Sequence, residues 1–129
     1  ACSMMDLLRD RDPAYIGAYL DTGHLYYCGE PFRMALDIVG PYLGLVSFKD
    51  TFFQRTNPEN EELPVWKRTI VPAGHGAVKW TDVMGGLKAV GYDGAISAHC
   101  EFTAPDPEAF TELQKREVAF LRARWNEAK

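Results

Sequence analysis

The sequence predicts an α/β domain in which a parallel sheet is covered by helices. Three features carry that expectation. Apolar runs of strand length alternate with segments of helical periodicity, as parallel strands joined by helices require. Each run breaks off in ionisable residues: Asp21 to His24, Lys49-Asp50, and His99 to Glu101. The length, 129 residues, suits one domain.

The elements follow in order. Ser3 and Asp6 resemble a capping box and predict a short helix to about Arg11. Asp12-Pro13 ends it, because a residue before proline resists helix. Residues 14–20 form an apolar run with a strand expected at 15–20, closed by a polar turn at Asp21-Thr22-Gly23-His24. Gly29-Glu30-Pro31 opens a helix with proline in its first turn. Phe32, Met34, Ala35, Ile38 and Val39 give it an apolar face, and Gly40 ends it. A second strand is expected at 43–48. Residues 51–64 are polar, carry Asn57-Pro58 and an acidic patch, and read as a long functional loop; residues 68–71 are extended. Gly74-His75-Gly76 reads as a tight turn. Thr81-Asp82 caps a helix that runs to Val90, before Gly91. A third strand is expected at 94–98. Asp106, Pro107 and Glu108 give the last helix an N-cap, a first-turn proline and a first-turn acid.

Composition narrows the function. A hydrophobic share of 47% and a charged share of 25% fit a globular chain and exclude disorder or a fibrous repeat. No apolar run approaches the roughly 18 residues of a membrane span. Fourteen basic against eighteen acidic residues leave a net charge of −4, which repels phosphate backbones and argues against a nucleic-acid partner. Cys2, Cys28 and Cys100 are odd in number and widely spaced. They read as free thiols rather than a disulfide framework or zinc site, and the expected compartment is the cytoplasm. The chain opens Ala-Cys-Ser-Met-Met, with no initiator methionine and no charged-then-apolar signal region. It reads as processed, or as a piece of something longer.

Ligands of parallel α/β folds bind at the C-terminal edge of the sheet. Side chains at i and i+2 share a strand face, so Ser47 and Lys49 face one way, as do Ser97, His99 and Glu101. With Asp21 and His24 they make a mixed acid and base set suited to proton transfer, metal ligation or sugar hydroxyl binding. Plainer readings stand beside it. Asp21 to His24 reads equally as an Asx-type turn, Lys49-Asp50 as a solvated strand end, and His99 as a hydrogen-bonded core histidine. His75 reads as a loop residue and Cys100 as a buried structural thiol. Tyr15, Tyr19, Tyr26 and Tyr27 are packing residues, with Tyr26 or Tyr27 a candidate floor for a sugar.

Four motifs occur in order and at fitting spacing: Tyr19-Leu20-Asp21-Thr22-Gly23-His24; Phe48-Lys49-Asp50; Val71-Pro72-Ala73-Gly74-His75-Gly76-Ala77-Val78-Lys79-Trp80; and Gly91-Tyr92-Asp93-Gly94-Ala95-Ile96-Ser97. The sequence thereby resembles the C-terminal half of the xylose-isomerase-like TIM barrels, the sugar phosphate isomerase/epimerase superfamily, over nearly the whole chain. The resemblance implies that the three strands are barrel strands six, seven and eight. It implies a metal site built from an earlier glutamate, Asp21, a strand-seven histidine and a strand-eight glutamate, with His24 touching the sugar. Such enzymes move a proton between adjacent carbons, with a divalent ion polarising the oxygens.

The sequence departs from that pattern at two ligands. Ser47 stands at the strand-seven histidine and His99 at the strand-eight glutamate. Serine is a poor ligand for a divalent ion, and histidine does not bridge as a carboxylate does. Lys49 is within reach of the vacated position, and Glu101 restores a carboxylate one pleat further out. The expected catalytic set is therefore Asp21, Lys49, His99 and Glu101, with Ser47 and His24 binding substrate. Any metal, whether Mn, Co, Zn or Mg, would be held weakly by Asp21, His99 and Glu101. The readings left open are an isomerase or epimerase acting on a small sugar, sugar phosphate or cyclitol; an inosose-dehydratase-type hydro-lyase; and a carbohydrate-binding or inactive remnant. An abasic-site endonuclease fits poorly, given Ser47 and the negative charge.

A full barrel needs about 250 residues and eight strands. Three strands leave two open edges and an uncovered inner face, which costs several kcal/mol at about 25 cal/mol per Å² of apolar surface. The expectation is a homo-oligomer, or a fragment of a longer chain whose other half completes the sheet. Light scattering at low micromolar concentration is expected to show a dimer or larger assembly of the isolated chain. A folded monomer of 14.5 kDa would refute it.

Overall fold

The computed structural model describes residues 1–129. The chain runs through α1 (Cys2–Leu8), β1 (Ala18–Asp21), α2 (Thr22–Tyr27), α3 (Phe32–Val39), a single 3-10 turn (Gly40–Tyr42), β2 (Leu43–Phe48), β3 (Asp50–Arg55), β4 (Trp66–Val71), α4 (Trp80–Ala89), β5 (Ala95–Ala98) and α5 (Pro107–Glu127). β1, β2 and β5 form one parallel sheet with β2 in the centre. The order and direction are those expected from the sequence. The result is a partial TIM barrel, not a closed one: β1 and β5 each pair with β2 alone.

Register divides the sheet into two faces. Leu20, Val46 and Ile96 lie in one row, and Asp21, Ser47 and Ser97 in the next. Alternation places these rows on opposite faces. The first face turns to the helices. On α3, Phe32, Ala35, Leu36 and Val39 recur at helical spacing, and on α4 Trp80, Val83, Met84 and Leu87 repeat the pattern; all are buried. They join Leu20, Val46, Phe48 and Leu121 of α5 in a single core. The second face carries the polar row and the ionisable strand ends. No helix is long and apolar enough to cross a membrane.

Several local expectations are corrected. α1 ends at Leu8 rather than Arg11, and no side chain caps it. The first strand begins at Ala18; Tyr15 lies in the preceding turn and is exposed. Asp21 to His24 is not merely a turn, since Asp21 caps α2 by accepting the His24 N–H at 2.9 Å. α4 starts at Trp80, without a side-chain cap from Thr81 or Asp82.

The largest correction is residues 51–64, expected as a loop. β3 and β4 pair antiparallel from Asp50 opposite Val71 to Arg55 opposite Trp66. Thr51, Phe52 and Phe53 are β-branched or aromatic, as are Thr69, Ile70 and Val71, and such side chains suit a pleated surface. Only the connection behaves as a loop, and Asn57 ties it: its side chain bonds the Leu63 carbonyl at 2.7 Å and the Val65 N–H at 2.6 Å. The hairpin rests on α2, where Tyr27 stacks on Phe53 at 5.8 Å and Arg68 lies over the Tyr27 ring at 4.8 Å. Tyr27 is nonetheless 55% exposed, and Tyr19 and Tyr26 are exposed as well, so these are not the packing residues expected.

Asp50 is likewise no solvated strand end. It is fully buried and collects five donors. Its Oδ1 accepts from the backbone of Thr51 at 2.8 Å and Val78 at 3.0 Å. Its Oδ2 accepts from the backbone of Gly74 at 2.9 Å and Gly76 at 3.1 Å, and from the Trp80 indole at 3.0 Å. Gly76 is obligatory because a Cβ there would collide with this carboxylate and the Thr51 carbonyl. Asp50→Asn keeps the shape but points an amide NH₂ at groups that all donate. It is expected to cost about 3–5 kcal/mol, the usual cost of breaking a buried charged interaction. Urea denaturation measures it, and an unchanged midpoint would refute the anchoring role.

Candidate active site

β1, β2 and β5 end side by side, so the residues just beyond them meet. Asp21 uses one oxygen to cap α2 and turns Oδ2 to Lys49 Nζ at 3.2 Å. Glu101 meets the same ammonium with Oε2 at 2.8 Å. His24 Nε2 stands 3.5 Å from Nζ, at the outer limit of hydrogen bonding. His99 lies between the two carboxylates, Nδ1 at 3.8 Å from Asp21 and Nε2 at 3.4 Å from Glu101. Asp21, His24, Lys49, His99 and Glu101 therefore converge as the shared-face reading expected. Ser47 lies one pleat below, fully buried, and its hydroxyl has no hydrogen-bond partner. His75 stays outside the cluster, in a recess with Arg116 and Glu117.

Lys49 is the centre, and its side chain is only 4% exposed. Its backbone is held on both sides by one hydroxyl. Thr22 Oγ1 accepts from the Lys49 N–H at 2.9 Å and donates to the Lys49 carbonyl at 2.7 Å. Its stem crosses Gly23, where an added Cβ would lie 3.0 Å from the lysine Cγ. Burial opposes the ammonium charge, but Glu101 and Asp21 outweigh it, and Lys49 holds its proton above the ordinary lysine range. Reciprocally, the bond from Lys49 holds Glu101 below the ordinary carboxylate range.

A second carboxylate steadies the His99 to Glu101 segment from behind. Cys100 has a φ of +49°, which turns its side chain away from its neighbours' face. The thiol donates to Glu117 Oε2 at 2.9 Å, while Glu117 Oε1 accepts from the Ala73 N–H at 2.9 Å. Burial, followed by the Glu117 hydrogen bond and charge, pushes the thiol up to about 11. Cys100 is thus the structural thiol expected, and no metal pair with His99. All three cysteines are free.

Sequence reasoning missed Thr22, Asp50 and Glu117. A signal existed for Glu117: it falls on the buried stripe of α5 with Leu121, where a charge needs partners. For Asp50 the signal was Gly74 and Gly76, whose exposed N–H groups call for an anion.

The profile of the xylose isomerase-like TIM barrel family matches residues 3–124. The chain belongs to that family. No match was found among curated proteins. Membership makes the fit of a divalent ion the next question for this family member. The residues present do not suit one. No three His, Cys, Asp or Glu side chains form a metal-holding group. Asp21, His99 and Glu101 do come together, but an ammonium stands between the carboxylates.

The linked shifts give a pH test. Glu101 binds its proton less readily when folded than an ordinary glutamate, whose pKa is about 4.5. Its stabilisation is therefore complete above that value and lost as pH falls through the lowered folded one. Lys49 is raised above 10.5, so its share is lost only as pH rises through the raised value. The difference in Tm between wild type and Glu101→Gln is expected to be constant from about pH 6 to 9 and to close below about pH 4. A gap that persists in acid would mean the pair carries none of it.

Proposed function

We propose that this site moves a proton between neighbouring carbons of a small sugar, sugar phosphate or cyclitol, as an isomerase or epimerase. One observation supports the reading above others: five acid, base and hydrogen-bonding side chains converge at the C-terminal edge of the sheet. Carboxylates accept from sugar hydroxyls, and an ammonium donates to a carbonyl oxygen. Lys49 has three N–H donors. Two face Asp21 and Glu101, and the third has only His24, at 3.5 Å.

In this reading the imidazole of His99, a third exposed, takes the proton from the carbon beside the carbonyl. The C–H electron pair forms the carbon–carbon double bond, and the carbonyl π pair moves onto oxygen, which Lys49 stabilises by hydrogen bonding. For epimerisation His99 loses that proton to solvent, and water supplies a proton to the same carbon on its other face, the resulting hydroxide being neutralised by the proton released. For isomerisation the proton on His99 returns to the old carbonyl carbon. The former hydroxyl oxygen becomes the carbonyl, and its proton passes to the other oxygen by way of Glu101. Each step conserves atoms and charge without a redox partner.

A second reading, sugar binding without turnover, draws support from the same ion pairs, because Lys49 engages both carboxylates. Proton NMR in D₂O separates them. With a panel of aldoses, ketoses, their phosphates and inososes, solvent deuterium is expected at the carbon beside the carbonyl of at least one. His99→Ala should slow that exchange by about 100-fold or more. Saturable binding without exchange would establish the second reading, and neither binding nor exchange would overturn both.

A further inference from the structure

We propose that Lys49 is the resident cation of this site: its ammonium stands among the groups that would ligate a divalent ion, excludes that ion, and masks a cation site that loss of the lysine uncovers. The inference rests on reading this cluster as the ligand-binding end of the sheet, but not on turnover.

Three donors surround one point. Asp21 Oδ2 lies 3.2 Å from Nζ, Glu101 Oε2 2.8 Å and His24 Nε2 3.5 Å. Two carboxylate oxygens and one imidazole nitrogen are ligands that a manganese-type ion accepts. Each is drawn to the positive charge already present. A divalent ion at the same point would meet a further positive charge held beside it by a side chain only 4% exposed.

The lysine does not step aside to admit the ion. Thr22 clamps its backbone N–H and carbonyl together, so the Cα is fixed. The stem is confined against Gly23 and almost wholly buried. Swinging the ammonium out would also place two carboxylates face to face before any ion arrived, which like charges resist. The neighbouring groups agree: Ser47 offers only a buried hydroxyl, and His99 lies between the two carboxylates with its Nδ1 lacking a hydrogen-bond partner. The groups that face the ammonium carry the opposite charge.

Manganese is the probe, because its oxygen preference keeps it off the exposed thiols of Cys2 and Cys28. Titrations followed by calorimetry and by electron paramagnetic resonance use the full chain. Wild type is expected to show no saturable site up to about 1 mM Mn²⁺, the weak end of protein cation sites. Lys49→Ala is expected to bind at least about 10-fold tighter, and Lys49→Ala with Glu101→Gln to lose the gain. Where Lys49→Ala does not fold, as judged by circular dichroism, Lys49→Ser takes its place. Micromolar binding by wild type that Asp21→Asn abolishes would overturn the proposal, whatever the variants do. So would a folded lysine-free chain that binds no better than wild type. The readout is metal binding alone, so it stands or falls separately from the sugar-exchange experiment.

Discussion

The Asp50 carboxylate is the constraint on which the remaining geometry depends. Three backbone N–H groups of residues 74–78, one from Thr51 and the Trp80 indole all end on its two oxygens. A loop with two glycines would otherwise keep much conformational freedom, and fixing each residue costs about 1–2 kcal/mol. One buried anion collects the N–H groups and starts α4 at a defined place. The indole it holds is itself part of the core, edge-on to Phe48 at 5.3 Å and to Phe120 at 6.2 Å. Sheet, loop, α4 and α5 are thus joined at one point, one residue after the lysine that centres the site.

From that point the constraint travels through a second buried carboxylate. The Asp50-held loop presents the Ala73 N–H to Glu117, and Glu117 takes the Cys100 thiol with its other oxygen. The flanking residues of Cys100 are His99 and Glu101. Their placement against Lys49 therefore leans on α5, through a contact on the opposite side of the chain from the chemistry. Cys100 turns to Glu117 while His99 and Glu101 on either side of it turn to the cluster, around a backbone of positive φ at Cys100. Positioning by buried hydrogen bonds has the geometric tightness that a site on loop residues needs.

What the sequence disclosed follows from this division. Apolar runs located the strands, and period-two alternation put Ser47 with Lys49, and Ser97 with His99, on one face. Helical periodicity located α3, α4 and α5 to within one or two residues. The five clustered side chains were legible because Asp21, Lys49, His99 and Glu101 lie at or just beyond the C-terminal ends of strands, with His24 three residues after Asp21. The hairpin was missed because polar residues near Asn57-Pro58 dominated a segment whose two ends, Thr51 to Phe53 and Thr69 to Val71, carry strand propensity. Asp50 and Glu117 were missed for a different reason. Most of their partners are backbone N–H groups, up to 44 residues away, and a residue pattern marks such groups only indirectly, through Gly74 and Gly76 and the buried stripe of α5. Thr22 belongs with them, 27 residues from the backbone it clamps.

A cation carried on a side chain differs physically from one taken from solution. Its position is set by folding, through Thr22 and Gly23, and its charge is single and spread over three N–H donors rather than concentrated. A divalent ion binds two substrate oxygens at once and orients as it polarises. An ammonium with one uncommitted N–H does the second task and little of the first. In the proposed reaction orientation would fall to the rim: His24 held on α2 by the Asp21 cap, and His99 set between two carboxylates. Asp21 caps the helix that carries His24 and faces both Lys49 and His99. A change at that one carboxylate would disturb the placement of an imidazole, the balance of the ammonium and the helix end together, so the three effects are coupled rather than additive.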